Sequence, residues 1–149
     1  MLYCRNSRRK LLVAGAFAIS AFGMLPMFAQ AADATATLSA ASEVPPNSST
    51  ATGTLEASVN KDSNLLTWTV TYSGLTAPAT GGHFHGPAMA GSNAGVVVPF
   101  SGSLASPIKG SATLTPAQMA DLMAGRWYVN LHTAANPGGE IRGQLMVKP

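Results

Sequence analysis

Between Leu66 and Tyr72 the chain reads Leu-Thr-Trp-Thr-Val-Thr-Tyr, large apolar residues alternating strictly with threonines. A period of two is the side-chain repeat of a strand, and no helix can gather Leu66, Trp68, Val70 and Tyr72 onto one face. Threonine, valine and aromatics favour the pleated conformation, so the four are core candidates. The same rhythm recurs along most of the chain, broken by Gly, Pro and Asn at short intervals. It predicts strands near Thr35 to Ala41, Gly53 to Asn60, Asn64 to Tyr72, Gly81 to His85, Gly95 to Phe100, Ile108 to Leu114, Trp127 to Thr133 and Glu140 to Val147. Asn60-Lys61-Asp62-Ser63-Asn64 supplies turn chemistry between two of them, which marks a hairpin.

One segment departs from this pattern. Thr115 to Gly125 begins with an N-capping threonine and a proline at the first helical position, and ends on a glycine. Met119, Leu122 and Met123 fall three and four apart, so one face of this helix should pack on the sheet edge. Many short strands and a single helix at about 115–124, with no alternation of strand and helix, specify an all-β fold. The expected form is an antiparallel Greek-key or immunoglobulin-like sandwich or barrel.

The first 31 residues read as an export signal: Arg5, Arg8, Arg9 and Lys10, an apolar run from Leu11 to Phe28, then Ala29-Gln30-Ala31 as a small-x-small cleavage site. Ser7-Arg8-Arg9-Lys10-Leu11-Leu12 is also similar to a twin-arginine signal, and both export routes stay open. A spanning helix is the competing reading, weakened by Gly15, Gly23 and Pro26. Cleavage would leave a single domain, 32–149, with Ala32 to Ala34 as a frayed end and a destination in the periplasm or outside the cell. Four of the nine Lys and Arg residues lie in the signal, leaving five against six Asp and Glu. The domain is therefore slightly acidic, without a basic cluster to hold nucleic acid, and nothing anchors it to a membrane once the signal is gone. Cys4, the single cysteine, also lies in the signal, which excludes a disulfide framework. About 118 residues suffice for one hydrophobic core.

All three histidines, His83, His85 and His132, sit in two strands next to a dense polar segment, Asn136 to Gln144. On a strand, His83 and His85 project from one face about 6.5 to 7 Å apart while Phe84 enters the core. With His132 they would offer three imidazoles, a ligand set suited to copper, zinc or nickel with one coordination position left open. A ligating histidine usually donates its other N–H to a carboxylate or carbonyl, and Glu140 is the nearest carboxylate in sequence to His132. The hairpin register decides whether they meet: an even register sets His132 beside Glu140 or Arg142, an odd one beside Ile141. The competing reading is purely structural. Asn130, His132, Glu140, Arg142 and Gln144 would form a hydrogen-bond network that fixes register, with Arg142 paired to Glu140.

Four motifs in order carry a family resemblance: Glu43-Val44-Pro45-Pro46, His83-Phe84-His85-Gly86-Pro87, Gly125 to Thr133, and Pro137-Gly138-Gly139-Glu140-Ile141-Arg142-Gly143-Gln144. Over roughly Thr35 to Val147 the chain resembles the CHRD domain, named for chordin, in the form that bacteria carry alone behind an export signal. The resemblance implies a β fold and an extracytoplasmic setting; it supplies no catalytic residues.

Two functions follow as expectations. One is a secreted binding or interaction module whose loops contact an extracytoplasmic protein or polymer. The other is a periplasmic copper or zinc protein using His83, His85 and His132 for storage, delivery or redox chemistry. A His-x-His on a Greek-key sandwich invites comparison with copper-zinc superoxide dismutase, but three histidines are too few for a two-metal site and the disulfide cysteines are missing. Hydrolase chemistry finds no Gly-x-Ser-x-Gly turn, and Glu43, Glu56, Asp62 and Asp121 show no partner in the sequence. The domain is thus expected to be non-enzymatic.

Overall fold

The computed structural model describes residues 31–148. The segment read as an export signal lies outside the described residues except for Ala31, which opens the first strand. Among the described residues no helix is long and apolar enough to cross a membrane.

Within the described residues nine strands form one antiparallel sheet: β1 (Ala31–Ser39), β2 (Thr52–Asn60), β3 (Leu65–Ser73), β4 (Ala79–His85), β5 (Val96–Pro99), β6 (Ile108–Thr113), β7 (Tyr128–Thr133), β8 (Ile141–Gln144) and β9 (Met146–Lys148). Their order is β5-β4-β7-β8-β1-β2-β3-β6, with β9 also on β1, and the sheet curls into a nearly closed barrel. This is the all-β antiparallel class expected from the alternation, realised as a barrel. The hairpin at Asn60 to Asn64 forms: the Asn60 side chain accepts from Asp62 and Ser63 N–H, and Asn64 takes φ +55° to close the turn.

The alternation places the core. Leu66 and Val70 are fully buried, Trp68 nearly so, and Tyr72 packs on the cluster's margin. Trp68 meets Phe84 edge-on at 5.1 Å and stacks on Phe100 at 5.3 Å, joining the β3 wall to the β4 wall. The helix, α1 (Pro116–Met123), starts in a capping box: Thr115 Oγ1 accepts from Gln118 N–H, and Gln118 Oε1 accepts from Thr115 N–H. Leu122 is buried, with Met119 and Met123 against the same core.

Two expectations change. Ala32 to Ala34 are not frayed; β1 begins at Ala31 and pairs along its length with β2, and Ala32 and Ala34 point into the core. Alanine contributes little to a hydrophobicity pattern, yet its small side chain is what the crowded barrel interior accepts beside Val59 and Ala57. The last strand is also divided. β8 and β9 hold one common register along β1, Ser39 opposite Arg142 and Thr35 opposite Met146, but between them Leu145 leaves the strand, donating its N–H to the Trp127 carbonyl as its side chain enters the core.

Candidate metal centre

Register brings the histidines together. β4 and β7 pair Gly81 with His132, His83 with Asn130 and His85 with Tyr128; β7 and β8 pair Asn130 with Arg142 and Tyr128 with Gln144. Because alternate residues share a face, Gly81, His83, His85, Tyr128, Asn130, His132, Arg142 and Gln144 all lie opposite the core-facing Phe84, Val129 and Leu131. Gly81 makes room for the cluster: a Cβ there would press on the His83 ring at 3.2 Å and reach His132 at 3.6 Å.

One ligand nitrogen from each of His83, His85 and His132 lies within 4.8 Å of the others. His83 Nδ1 is 3.1 Å from His132 Nε2, and the His83 ring stands edge-on to both His85 and His132. The far sides of two rings are fixed by backbone. His85 Nδ1 is 3.0 Å from the Ala94 carbonyl, and His132 Nδ1 is 3.0 Å from the Pro137 carbonyl. A carbonyl only accepts, so each Nδ1 carries a proton, and a ring protonated there alone turns its Nε2 lone pair toward the cluster. The His85 Nε2 is buried without a hydrogen-bond partner. Burial, then the neighbouring rings of His132 and His85, holds the His83 pKa below the ordinary histidine value. His85 is also held low, chiefly by burial, against the opposing pull of the Ala94 carbonyl. Neutral imidazoles are the ligating form.

A second layer supports the rings. Tyr128 stacks flat on His85 at 4.8 Å and carries the Arg142 guanidinium 3.4 Å over its ring. Arg142 donates to the Ser92 carbonyl at 2.6 Å and to Asn93 Oδ1 at 2.9 Å, and Asn93 donates to the Val44 carbonyl. The loop that supplies the Ala94 carbonyl is thereby tied to the sheet. Gln144 does the same lower down, donating to the carbonyls of Ala88 and Gly125.

Arg142 and Glu140, the pair expected from sequence, do not meet. The register is even, as the His132–Glu140 contact required, but Glu140 N–H donates to the Leu131 carbonyl although Leu131 is already opposite Ile141. Two residues face one, and this bulge-like step turns Glu140 to the other side of the hairpin. There its carboxylate accepts from Ser49 Oγ at 2.7 Å, Thr76 N–H at 2.8 Å, Thr76 Oγ1 at 2.7 Å and Thr133 Oγ1 at 2.6 Å. Burial acts to raise this carboxyl, yet the hydrogen bonds from Thr133, Ser49 and Thr76 outweigh it and hold the pKa at about 2.

Sequence reasoning passed over Glu43. The 3-10 turn Ala40–Ser42 carries the chain off β1 and delivers Glu43 into the site, 5% exposed, where the nearby Arg142 and Asn130 both favour its charged form. Burial dominates these attractions and pushes its carboxyl up to about 7, and Oε1 has no partner. Its place in Glu-Val-Pro-Pro was visible; its burial depends on Gly139, 96 positions away, where φ is +131° and any side chain would strike Glu43 Oε1 and Asn130 Nδ2. Asp121, also without an expected partner, forms an exposed ion pair with Arg126.

The profile of the CHRD domain matches residues 34–145. No curated protein and no solved structure matches the chain. The chain belongs to the CHRD domain family, and that membership is consistent with an extracellular binding module.

Proposed function

We propose that this domain is an exported binding module whose ligand is a transition-metal ion, zinc or copper, held by His83, His85 and His132. One observation carries the reading: three imidazole nitrogens converge within 4.8 Å while the outer nitrogens of His85 and His132 are committed to carbonyls. Histidines kept only for register would spend their inner nitrogens on donors; His85 Nε2 has none. Backbone carbonyls behind ligating rings are the usual outer partners of a metal-bound histidine. Export rests on the twin-arginine and small-x-small features of residues 1–31 and on the family's setting.

The test is metal content by mass spectrometry on protein purified without chelator, beside a His83→Ala/His85→Ala variant. Near-stoichiometric zinc or copper in the wild type and its loss in the variant is the expected result. Wild-type protein that is metal-free, takes up neither Zn(II) nor Cu(II), and gains no thermal stability from them would overturn the proposal.

A further inference from the structure

Protons and lone pairs do not balance around the three histidines. His85 and His132 each commit their Nδ1 proton to a carbonyl, so with no second ring proton both inner nitrogens are acceptors. A third acceptor faces them: Asn130 Oδ1 lies 3.0 Å from His132 Nε2. Turning the Asn130 amide over would present its NH2 group instead, but Nδ2 borders the same space beside Gly139 as the unpartnered Glu43 Oε1, and the flip would set an amide oxygen against that carboxyl. Asn130 also lies close enough to act on His85 as a hydrogen-bonding side chain, although the His85 Nε2 makes no bond of good geometry. Three lone pairs thus converge, and the single ring proton of a neutral His83, if placed on Nδ1, satisfies only one of them. Acceptors aimed at a common point are repelled unless a donor or a cation lies between them, and a cation can meet all three at once.

We infer that Asn130 Oδ1 is the fourth ligand of the centre, and that Glu43 is the bound ion's charge partner, acting through the Asn130 amide. The inference rests on the three-histidine reading of the preceding subsection. It turns an open three-nitrogen site into a three-nitrogen, one-oxygen site. A carboxylate that accepts from the amide N–H leaves the amide oxygen more negative, the same logic by which carboxylates tune metal-bound histidines. Glu43 makes no salt bridge: Arg142 acts on it from a distance while bonding Ser92 and Asn93 over the Tyr128 ring, and the Arg126–Asp121 pair is the one salt bridge among the described residues. An amide oxygen is a hard ligand, so this set selects a divalent ion such as Zn(II) over Cu(I), which prefers sulfur and nitrogen.

Co(II) reports the difference, because four-coordinate Co(II) absorbs visible light far more strongly than five- or six-coordinate Co(II). Wild-type protein titrated with Co(II) should show the intense four-coordinate spectrum. Asn130→Ala should bind about 10- to 100-fold more weakly, with a changed spectrum and a smaller preference for Zn(II) over Cu(I). Glu43→Gln should weaken binding while leaving the spectrum four-coordinate. The exchange variant Asn130→Asp/Glu43→Gln restores both an oxygen ligand and a donor behind it, and should return the wild-type spectrum; it carries the test if Asn130→Ala does not fold. An unchanged spectrum and affinity in Asn130→Ala, or loss of the four-coordinate spectrum in the exchange variant, would overturn the role of Asn130 and leave the histidine centre standing. Wild-type protein that binds neither Co(II) nor Zn(II) would instead remove the metal reading itself.

Discussion

Glu140 is the best place to ask whether the polar residues of this domain have been divided correctly between scaffold and site. Its carboxylate is buried and joins three segments, accepting from Ser49, Thr76 and Thr133 through four hydrogen bonds. Its pKa falls from 4.5 to about 2 on folding. At about 1.4 kcal/mol per pKa unit, that depression corresponds to about 3 kcal/mol of stability. The sign follows from which state takes up the proton first. As pH falls, the unfolded chain is protonated near 4.5 and the native carboxylate only near 2, so the stabilisation is complete above about pH 5 and is lost between there and pH 2. Glu140→Gln keeps the shape and one acceptor oxygen but removes the charge, and serine and threonine hydroxyls can turn to accept from the new amide. The variant should therefore be about 3 kcal/mol less stable at pH 7 and nearly equal to the wild type at pH 2. Urea unfolding at pH 7, 5, 4 and 3 with a chelator present measures the gap without a metal contribution. A gap that stays constant across this range would show that Glu140 does not titrate as a charge-assisted structural carboxylate, and the division would fail.

Two further substitutions test the supports of the histidine face. Gly139→Ala adds a side chain at φ +131° and drives it into Glu43 and Asn130, so it should cost about 2 kcal/mol or more in thermal unfolding of the metal-free protein; a stability within 0.5 kcal/mol of wild type would contradict the packing there. Arg142→Lys keeps the charge but cannot lie flat on Tyr128 while reaching both the Ser92 carbonyl and Asn93 Oδ1. Amide exchange in residues 92–95 should accelerate several-fold in this variant; unchanged protection would mean the loop is held by other contacts.

The sheet was legible because its signal is local. Leu66, Trp68 and Val70 announce their face by alternation, and Thr115, Pro116 and Gly125 announce the helix by terminal chemistry. Where the reading went wrong, the deciding contact was distant or carried by backbone. Ala32 and Ala34 look like a tail because alanine weighs little in any apolar pattern, and only the pairing with β2 and β9 reveals them as core. The histidine cluster could be suspected from His-x-His spacing, yet the groups that set its tautomers, the carbonyls of Ala94 and Pro137, have no side-chain identity to read. Sequence leaves the hairpin register open between even and odd; the register is even, yet a one-residue step in the hairpin moves Glu140 to the face away from the histidines. The same kind of non-local event brought Glu43 in, through a turn at Ala40–Ser42 and a glycine across the chain.

Glu43 and Glu140 are the same residue type on the two sides of one hairpin, and their environments push them apart, one carboxyl to about 7 and the other to about 2. Both are buried, so burial alone does not separate them; hydrogen bonding does. Glu140 has four donors on its two oxygens, as expected of a group whose task is to hold segments together. Among the described residues five buried side-chain atoms lack partners: Trp68 Nε1 and Trp127 Nε1 in the barrel core, and on the other side Glu43 Oε1, His85 Nε2 and Gln144 Oε1. A network selected only to fix strand register would not leave such atoms bare, since each costs about 1–3 kcal/mol when unsatisfied. Natural proteins keep local conflicts of this kind mainly where a ligand resolves them. Three of the five belong to residues on, or packed against, the histidine face, and a cation among His83, His85, His132 and Asn130 would complete the His85 Nε2 lone pair and balance the Glu43 charge. The fully bonded Glu140 holds the barrel's segments together, and the bare acceptors of the histidine face are where a ligand has energy to gain.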